Sequence, residues 1–411
     1  MKKIPLLLLL VFIFNSCNED SIEPSKNTQQ ALSDLRKVST QFTSNSNEFT
    51  FDIFQKVNAS ADVDENVMIS PLSINLALGM LLNGSNGNSA EEIKEVLGWS
   101  DEDLAEINTN YKNILLSLPK LDNLVDVGIA NSVWYDENFI VKDAFLNTLS
   151  AEFDANATPY DFSKSDAADL INRWIEDKTN GLIDEIIDKI NPSQVMLLIN
   201  TLYFKGEWTN KFDKDLTQQT AFTDINGEEY EVDMMMSNDI DLMVSIQENY
   251  TVFDLPYGDG IYTMSILLPN NGVNLNTILE SLDTNDWYNL KNSKTNASAI
   301  VGLPKFEFGY DLNLNDVLQR LGIGDVFVNS LADLSNISDS ELYVSEIKHK
   351  TYIKVDEEGT KAAAVTSVSI DTYSALPPTL NLMCDKPFAF FIYEKEQGNI
   401  LFSGKIVTLK E

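Results

Sequence analysis

Val355-Asp356-Glu357-Glu358-Gly359-Thr360-Lys361-Ala362-Ala363-Ala364-Val365-Thr366-Ser367-Val368-Ser369-Ile370-Asp371-Thr372-Tyr373-Ser374-Ala375-Leu376 is the stretch on which the reading of this 411-residue chain turns. No Gly or Pro interrupts it between Gly359 and Pro377. Even positions from 360 to 370 are Thr, Ala, Ala, Thr, Val and Ile; odd positions from 361 to 371 are Lys, Ala, Val, Ser, Ser and Asp. This is an imperfect period of two, with small or apolar side chains on one face. By composition it fits a half-buried strand, or an Ala-rich helix with Thr360 near its start.

Outward from it, helices come first. Residues 49–54 open an apolar helix-like stretch, and Ser70 before Pro71 predicts a capped helix through Leu82. Ser89-Ala90-Glu91-Glu92 predicts the start of another. Residues 130–135 read as a strand. Residues 166–190 read as helical, with Ile171, Trp174 and Ile175 on one face and a break at Thr179-Asn180-Gly181. From about residue 195 strands dominate: 195–203, 230–236, 252–255, 263–268, 299–303 and 305–308, with turns at Asn226-Gly227 and Gly258-Asp259-Gly260. Residues 312–321 return to helix and stop at Gly322; aromatic strands at 388–393 and 400–407 close the chain. Without βαβ alternation or repeats the expected class is α+β. With no Pro/Gly-rich linker after residue 50, one domain is expected rather than several.

Composition narrows the function. Lys+Arg is 29 against Asp+Glu 63, a net charge of -34, which repels phosphate backbones and excludes nucleic acid as a partner. The single histidine, His349, leaves little room for general-base or metal chemistry. Hydrophobic residues make up 44%, enough for a large core. Lys2-Lys3, an apolar run from Ile4 to Phe14 and Asn15-Ser16-Cys17 form a secretion signal too short to span a membrane. Cys17 after it resembles a bacterial lipobox, with cleavage after residue 16 and lipid on the Cys17 sulfur, although Phe14-Asn15 departs from the usual residues. The alternative is a cut elsewhere, with Cys17 an ordinary residue. Losing residues 1–16 removes two Lys and takes the charge from -34 to -36. Only Cys384 then remains besides Cys17, so no disulfide framework is expected. Residues 17–47, polar and rich in Ser, Thr, Asn and Gln, are read as a lipid-anchored tether with room for one short helix around Leu32, Leu35 and Val38.

Residues 357–366 resemble the hinge of the serpins, commonly Glu-Glu-Gly-Thr-Glu-Ala followed by small residues. Asn200-Thr201-Leu202-Tyr203-Phe204-Lys205-Gly206-Glu207-Trp208, with Phe212, Thr217 and Phe222 beyond, is similar to that family's most recognisable run. Ser70-Pro71-Leu72-Ser73-Ile74, Leu303-Pro304-Lys305-Phe306, Leu321-Gly322-Ile323 and Asp385-Lys386-Pro387-Phe388 fit in order, so the resemblance covers about residues 48–408. Asp233, Ala389 and Lys361 depart from it, Lys361 replacing the hinge Glu. The resemblance implies one serpin-type domain over residues 48–411, with a large central sheet, surrounding helices and an exposed reactive loop at about 359–378. It implies a serine protease inhibitor, not an enzyme: the protease attacks the loop as substrate, and the cut loop enters the sheet as a new strand carrying the acylated protease with it. That behaviour belongs to the family and is not deduced from this chain.

The residues allow a physical check. About twelve residues at roughly 3.3 Å each span about 40 Å. Ordering them costs about 1–2 kcal/mol per residue, which roughly cancels the new backbone hydrogen bonds. Burial of Val368 and Ile370, about 1.5–3 kcal/mol each, then tips the balance. No even position from 360 to 370 is charged, so nothing on that face carries a desolvation penalty.

By resemblance the hinge comprises Glu357, Glu358, Gly359, Thr360, Ala362, Ala363 and Ala364, and the reactive bond is Tyr373–Ser374, fourteen positions beyond Gly359. An apolar primary pocket, hence a chymotrypsin-like target, follows from Tyr373; Leu376 or Thr372 would redirect specificity. The resemblance also allows cysteine proteases as targets. It groups Ser70, Ser73, Asn200 and His349 where the sheet opens, and Trp208, Lys305 and Glu357 where the loop enters; an ordinary surface ion pair is the bland alternative for Lys305 and Glu357. Cys384 reads as a small core residue. No cofactor or metal is implied, and a monomer is expected. The place is extracytoplasmic, as an outer-membrane or cell-surface lipoprotein, with secreted or periplasmic forms as alternatives. A non-inhibitory serpin-fold binding or scaffold lipoprotein is the runner-up; a glycan-capturing lipoprotein or hydrolase is a distant third.

Overall fold

The computed structural model describes residues 25–191, 193–360 and 379–410. Cys17, Lys361, Ala362, Ala363, Ala364, Tyr373 and Ser374 lie outside them. The polar segment read as a tether corrects that reading from residue 26 onward. Helices Lys26–Leu35 and Thr40–Asn58 are capped by Ser25 and Ser39 and bury Ala31, Leu35, Val38 and Phe42. Thr28, Thr43, Asn45, Ser46, Asn47 and Thr50 are buried alongside the apolar residues, so the polar composition hides a face that docks on the core.

Helix Pro71–Gly84 starts where the sequence places it: the Ser70 side chain accepts from the Ser73 N–H, and Pro71 occupies the first turn. All but one of its residues are buried, so it runs through the middle of the molecule. Helix Gly87–Val96 begins at Asn86 and not Ser89, whose hydroxyl instead accepts from the Asp333 N–H. Helix Ala167–Lys178 ends at Thr179, and Gly181 turns the chain with φ +76°. Residues 182–190 continue as an irregular strap rather than a helix. The Thr179 hydroxyl accepts from the Ile183 N–H, and the Asn172 side chain holds both Ile186 and Ile187 backbones. Residue 312 belongs to strand Phe306–Asn313; the helix after it is Asn315–Leu321.

A ten-stranded sheet begins at Val67–Ile69 and carries the C-terminal hairpin, Ile400–Ile406 with Phe388–Glu394, beside that edge. It continues through Tyr262–Pro269, Tyr250–Tyr257 and Ile240–Ile246 to Thr295–Pro304, which also pairs in parallel with Leu380–Met383. The sheet expected to receive the loop is in two blocks. One joins Asn156–Tyr160, Val125–Asp136 and Met196–Gly206; the other joins Phe306–Asn313 and Lys348–Val355. Among the described residues no ladder connects the two blocks.

Candidate functional site

The facing edges of the two blocks are Met196–Gly206 and Lys348–Val355. They run the same way. At one end Gln194 Nε2 donates to Ser345 Oγ and Glu346 Oε1, both at 3.2 Å. At the other end Trp208 N donates to Glu358 O and Trp208 Nε1 to Asp356 O, both at 3.0 Å. Between them lies a slot whose far half is a cavity of about 410 Å³, lined among others by Leu81, Leu198, Val344 and Ile347. The slot walls alternate: Asn200, Leu202, Phe204 and Gly206 on one side, and His349, Thr351, Ile353 and Val355 on the other, face inward.

Residues 356–360 turn the chain into the near end of the slot. Gly359 bridges antiparallel to Glu207 and to Asp356. The Thr360 N–H donates to Gly206 O at 2.7 Å, and its hydroxyl lies 3.3 Å from the hydroxyl of fully buried Tyr257. Gly359 has φ +133°, and a Cβ there would sit 2.2 Å from Gly206 O, so only Gly makes this turn against that strand.

Glu357, buried, pairs with Lys305 Nζ at 2.6 Å and accepts from Thr217 Oγ1 at 2.7 Å. Burial pushes its carboxyl upward, but these two hydrogen bonds win and hold it below the ordinary value. The pair is therefore more than a surface contact, since losing Lys305 leaves a carboxylate without its counter-charge. Glu358 pairs with Lys214 at 2.5 Å. Trp208 stacks on Tyr257 at 4.3 Å, flooring the turn. Thr217 is marked in the sequence only as part of the family-like run, with nothing to tie it to Glu357, and Tyr257 carries no sequence signal; distant pairing brings both here.

At mid-slot the structure brings Ser70, Ser73, Asn200 and His349 together. Ser70 N–H donates to His349 Nε2 at 2.9 Å, Ser70 Oγ to Leu401 O at 2.8 Å, and Ser73 Oγ to Asn200 Oδ1. Asn200 also donates to Asn131 Oδ1 at 2.6 Å, a member the sequence reading missed. The first turn of helix Pro71–Gly84 thus holds one wall through His349 and the other through Asn200. The two serine hydroxyls of this network are bonded to Leu401 O and Asn200 Oδ1 and not to the His349 imidazole.

Burial pulls the His349 pKa down to about 4 from an ordinary value of 6.5. Between those values the unfolded chain binds a proton that the folded one refuses. The stability due to neutral His349 is full above about pH 6.5 and is lost as pH falls toward 4, a loss on the order of 3 kcal/mol. We expect His349→Gln to lose less thermal stability between about pH 7 and about pH 5 than the parent chain. Calorimetry at the two pH values checks this; equal acid losses in both proteins would remove His349 from the account.

Cys384 is fully buried and burial raises its thiol pKa, so it is a packed, unreactive side chain.

Comparison with known proteins agrees with this geometry. A family model described as serpin (serine protease inhibitor) matches residues 44–409. Mouse Serpin B11 is 33% identical over 89% of this chain and 99% of its own length. Tengpin, a thermophilic serpin, is 33% identical; its native-state crystal structure aligns with TM-score 0.82 over 90% of this chain and 95% of its own, and its latent state with 0.79 over 91% and 99%. Human thyroxine-binding globulin aligns at 25% identity with TM-score 0.82 over 91% and 100%. With most of its length matched, and with a single α+β domain carrying helices around large sheets, the chain belongs to the serpin family, whose members are in general protease inhibitors rather than enzymes.

Proposed function

We propose that this protein is a suicide-substrate inhibitor of serine proteases, which traps the acyl-enzyme by drawing its cut loop into the slot. The observation that carries the reading is the Thr360 N–H on Gly206 O: the chain leading to the loop has already turned into the gap between two parallel edges. A strand continuing from there runs antiparallel to both walls and completes hydrogen bonds on both.

The register follows from the two Gly359 bridges. Each further residue moves one step along each wall. Ala362 then meets Phe204 and Ile353, Ala364 meets Leu202 and Thr351, and Thr366 arrives between Asn200 and His349. Val368 and Ile370 reach the cavity beside Leu198 and Met196. The uncharged even face of the loop thus meets the inward residues of both walls, and Tyr373 emerges about 40 Å from the hinge. Captured there, the protease holds a distorted site in which oxyanion hole and triad cannot finish deacylation.

Tyr373–Ser374 is the reactive bond of this reading and chymotrypsin-like enzymes its first target class, with cysteine proteases as a further class. The lipobox-like Cys17 supports a lipid-anchored, extracytoplasmic inhibitor at the cell envelope. Incubation with a panel of chymotrypsin-, elastase- and papain-like proteases should yield a complex that survives boiling in detergent, and sequencing the released N-terminus locates the bond. Cleavage across the panel with no such complex would overturn the reading. It would favour the second reading, a serpin-fold binding or scaffold lipoprotein, which the likeness to thyroxine-binding globulin supports.

A further inference from the structure

Thr379 and strand Leu380–Met383 carry the chain out of the loop and into the ten-stranded sheet, alongside Thr295–Pro304. Leu380 stands opposite Ala299, and Met383 opposite Gly302. Asn296, Ser298, Ile300 and Gly302 share the outer face of Thr295–Pro304, and apolar side chains lie open along it. Ile300 is 37% exposed, and Met243, across from Asn296, is 44% exposed. Half-buried Met236 and Met383 meet over Gly302, where a Cβ would sit 2.4 Å from Met383 Cε and 3.2 Å from Met236 Sδ. Asp239 fastens this strip to the end of the loop: Ser298 Oγ donates to its Oδ1, and Thr379 Oγ1 to its Oδ2 at 3.0 Å. Asp241, opposite Ser298, is exposed beside it.

We infer that this strip, with Met243, Ile300, Met236 and Met383 bordered by Asp239 and Asp241, is a docking surface for the attacking protease. It fits an enzyme that carries an apolar patch flanked by Lys or Arg beside its cleft. The inference rests on the proposed reactive bond. Ser374 is five residues before Thr379, so it stays within about 18 Å of it however the chain runs. A protease domain of about 200 residues has a radius of gyration of about 16 Å, so an enzyme closed on Tyr373–Ser374 brings the rim of its cleft over the strands flanking Thr379. Apolar side chains open together on one face mark a contact surface, and methionines adapt to partners of different shape. With a net charge of -34 the molecule draws in cationic enzymes, and Asp239 and Asp241 orient them at the strip.

Three full-length proteins test this: the parent, Met243→Gln/Ile300→Asn, and Asp241→Lys. None of these positions lines the slot cavity, so each variant should keep the parent's melting temperature and its share of attacks ending in capture. The readout is the second-order rate of capture at low and high salt, with whichever chymotrypsin-, elastase- or papain-like protease the parent captures fastest. The double variant should capture about tenfold more slowly at either salt concentration. Asp241→Lys should be about threefold slower at ~0.05 M salt, with the difference fading at ~1 M. Parent rates in both variants, in a parent that captures, overturn the docking surface alone. So does a parent that sediments as a dimer which the double variant dissociates, because the strip then holds a second copy of this chain. A parent that captures no protease overturns the inhibitory reading and the docking surface with it.

Discussion

Thr360→Arg is expected to leave the loop fully cleavable and to abolish capture. Thr360 is 7% exposed, its amide is bonded to Gly206 and its hydroxyl faces Tyr257. The carboxylates of the turn are already engaged: Glu357 and Glu358 by Lys305 and Lys214, and Asp356 by the Glu358 N–H. Burying it unpaired costs several kcal/mol. Capture is a race between insertion and hydrolysis of the acyl-enzyme, and about 1.4 kcal/mol on the insertion barrier changes the ratio about tenfold. A penalty of about 3–4 kcal/mol therefore slows insertion by a factor of several hundred, while the scissile bond stays as accessible as before. Titrating protease against the variant should show complete loop cleavage with no detergent-stable complex. Capture at the parent's ratio would mean that Thr360 does not enter the slot.

The second large effect is on stability. Cutting the loop without capture, with a protease used in trace amounts, should raise the melting temperature by about 3–7 °C. In the intact chain, edges of 11 and 8 residues face each other without a ladder. A freed strand can complete hydrogen bonds on both and fill the cavity with Val368 and Ile370. With ordering and hydrogen bonding roughly cancelling, the remaining gain of about 3–6 kcal/mol from burying Val368 and Ile370 corresponds to roughly that shift for a chain of this size. Calorimetry of cut and uncut protein measures it, and an unchanged melting temperature would sink the insertion reading.

Much of this was legible in the sequence because local chemistry and tertiary role agree. Ser70-Pro71 caps a helix in any context, and the C-terminal aromatic strands are β-prone and pair as a fully buried hairpin in the ten-stranded sheet. The alternation at 360–370 matches the inward sets of both walls. Other parts were hidden where tertiary contacts override local signals. Ser89 has the chemistry of a cap, but Asp333 takes its hydroxyl. Residues 182–190 look helical, yet Asn172 and Thr179 satisfy their backbone from the side. Strand Lys348–Val355 alternates inward His349, Thr351, Ile353 and Val355 with three Lys and a Tyr, a pattern masked by the polar identity of half the inward set. Tyr257 and Thr217 join the site only through pairings far apart along the chain.

The first turn of helix Pro71–Gly84 has one further consequence. It grips His349 with a backbone amide and Asn200 with a side chain, so the two walls share a single anchor. Widening the gap by about 1 Å carries at least one of these contacts beyond hydrogen-bonding distance. On the proposed reading, one of the two grips has to let go for the gap to open, so the start of this helix is where opening would begin.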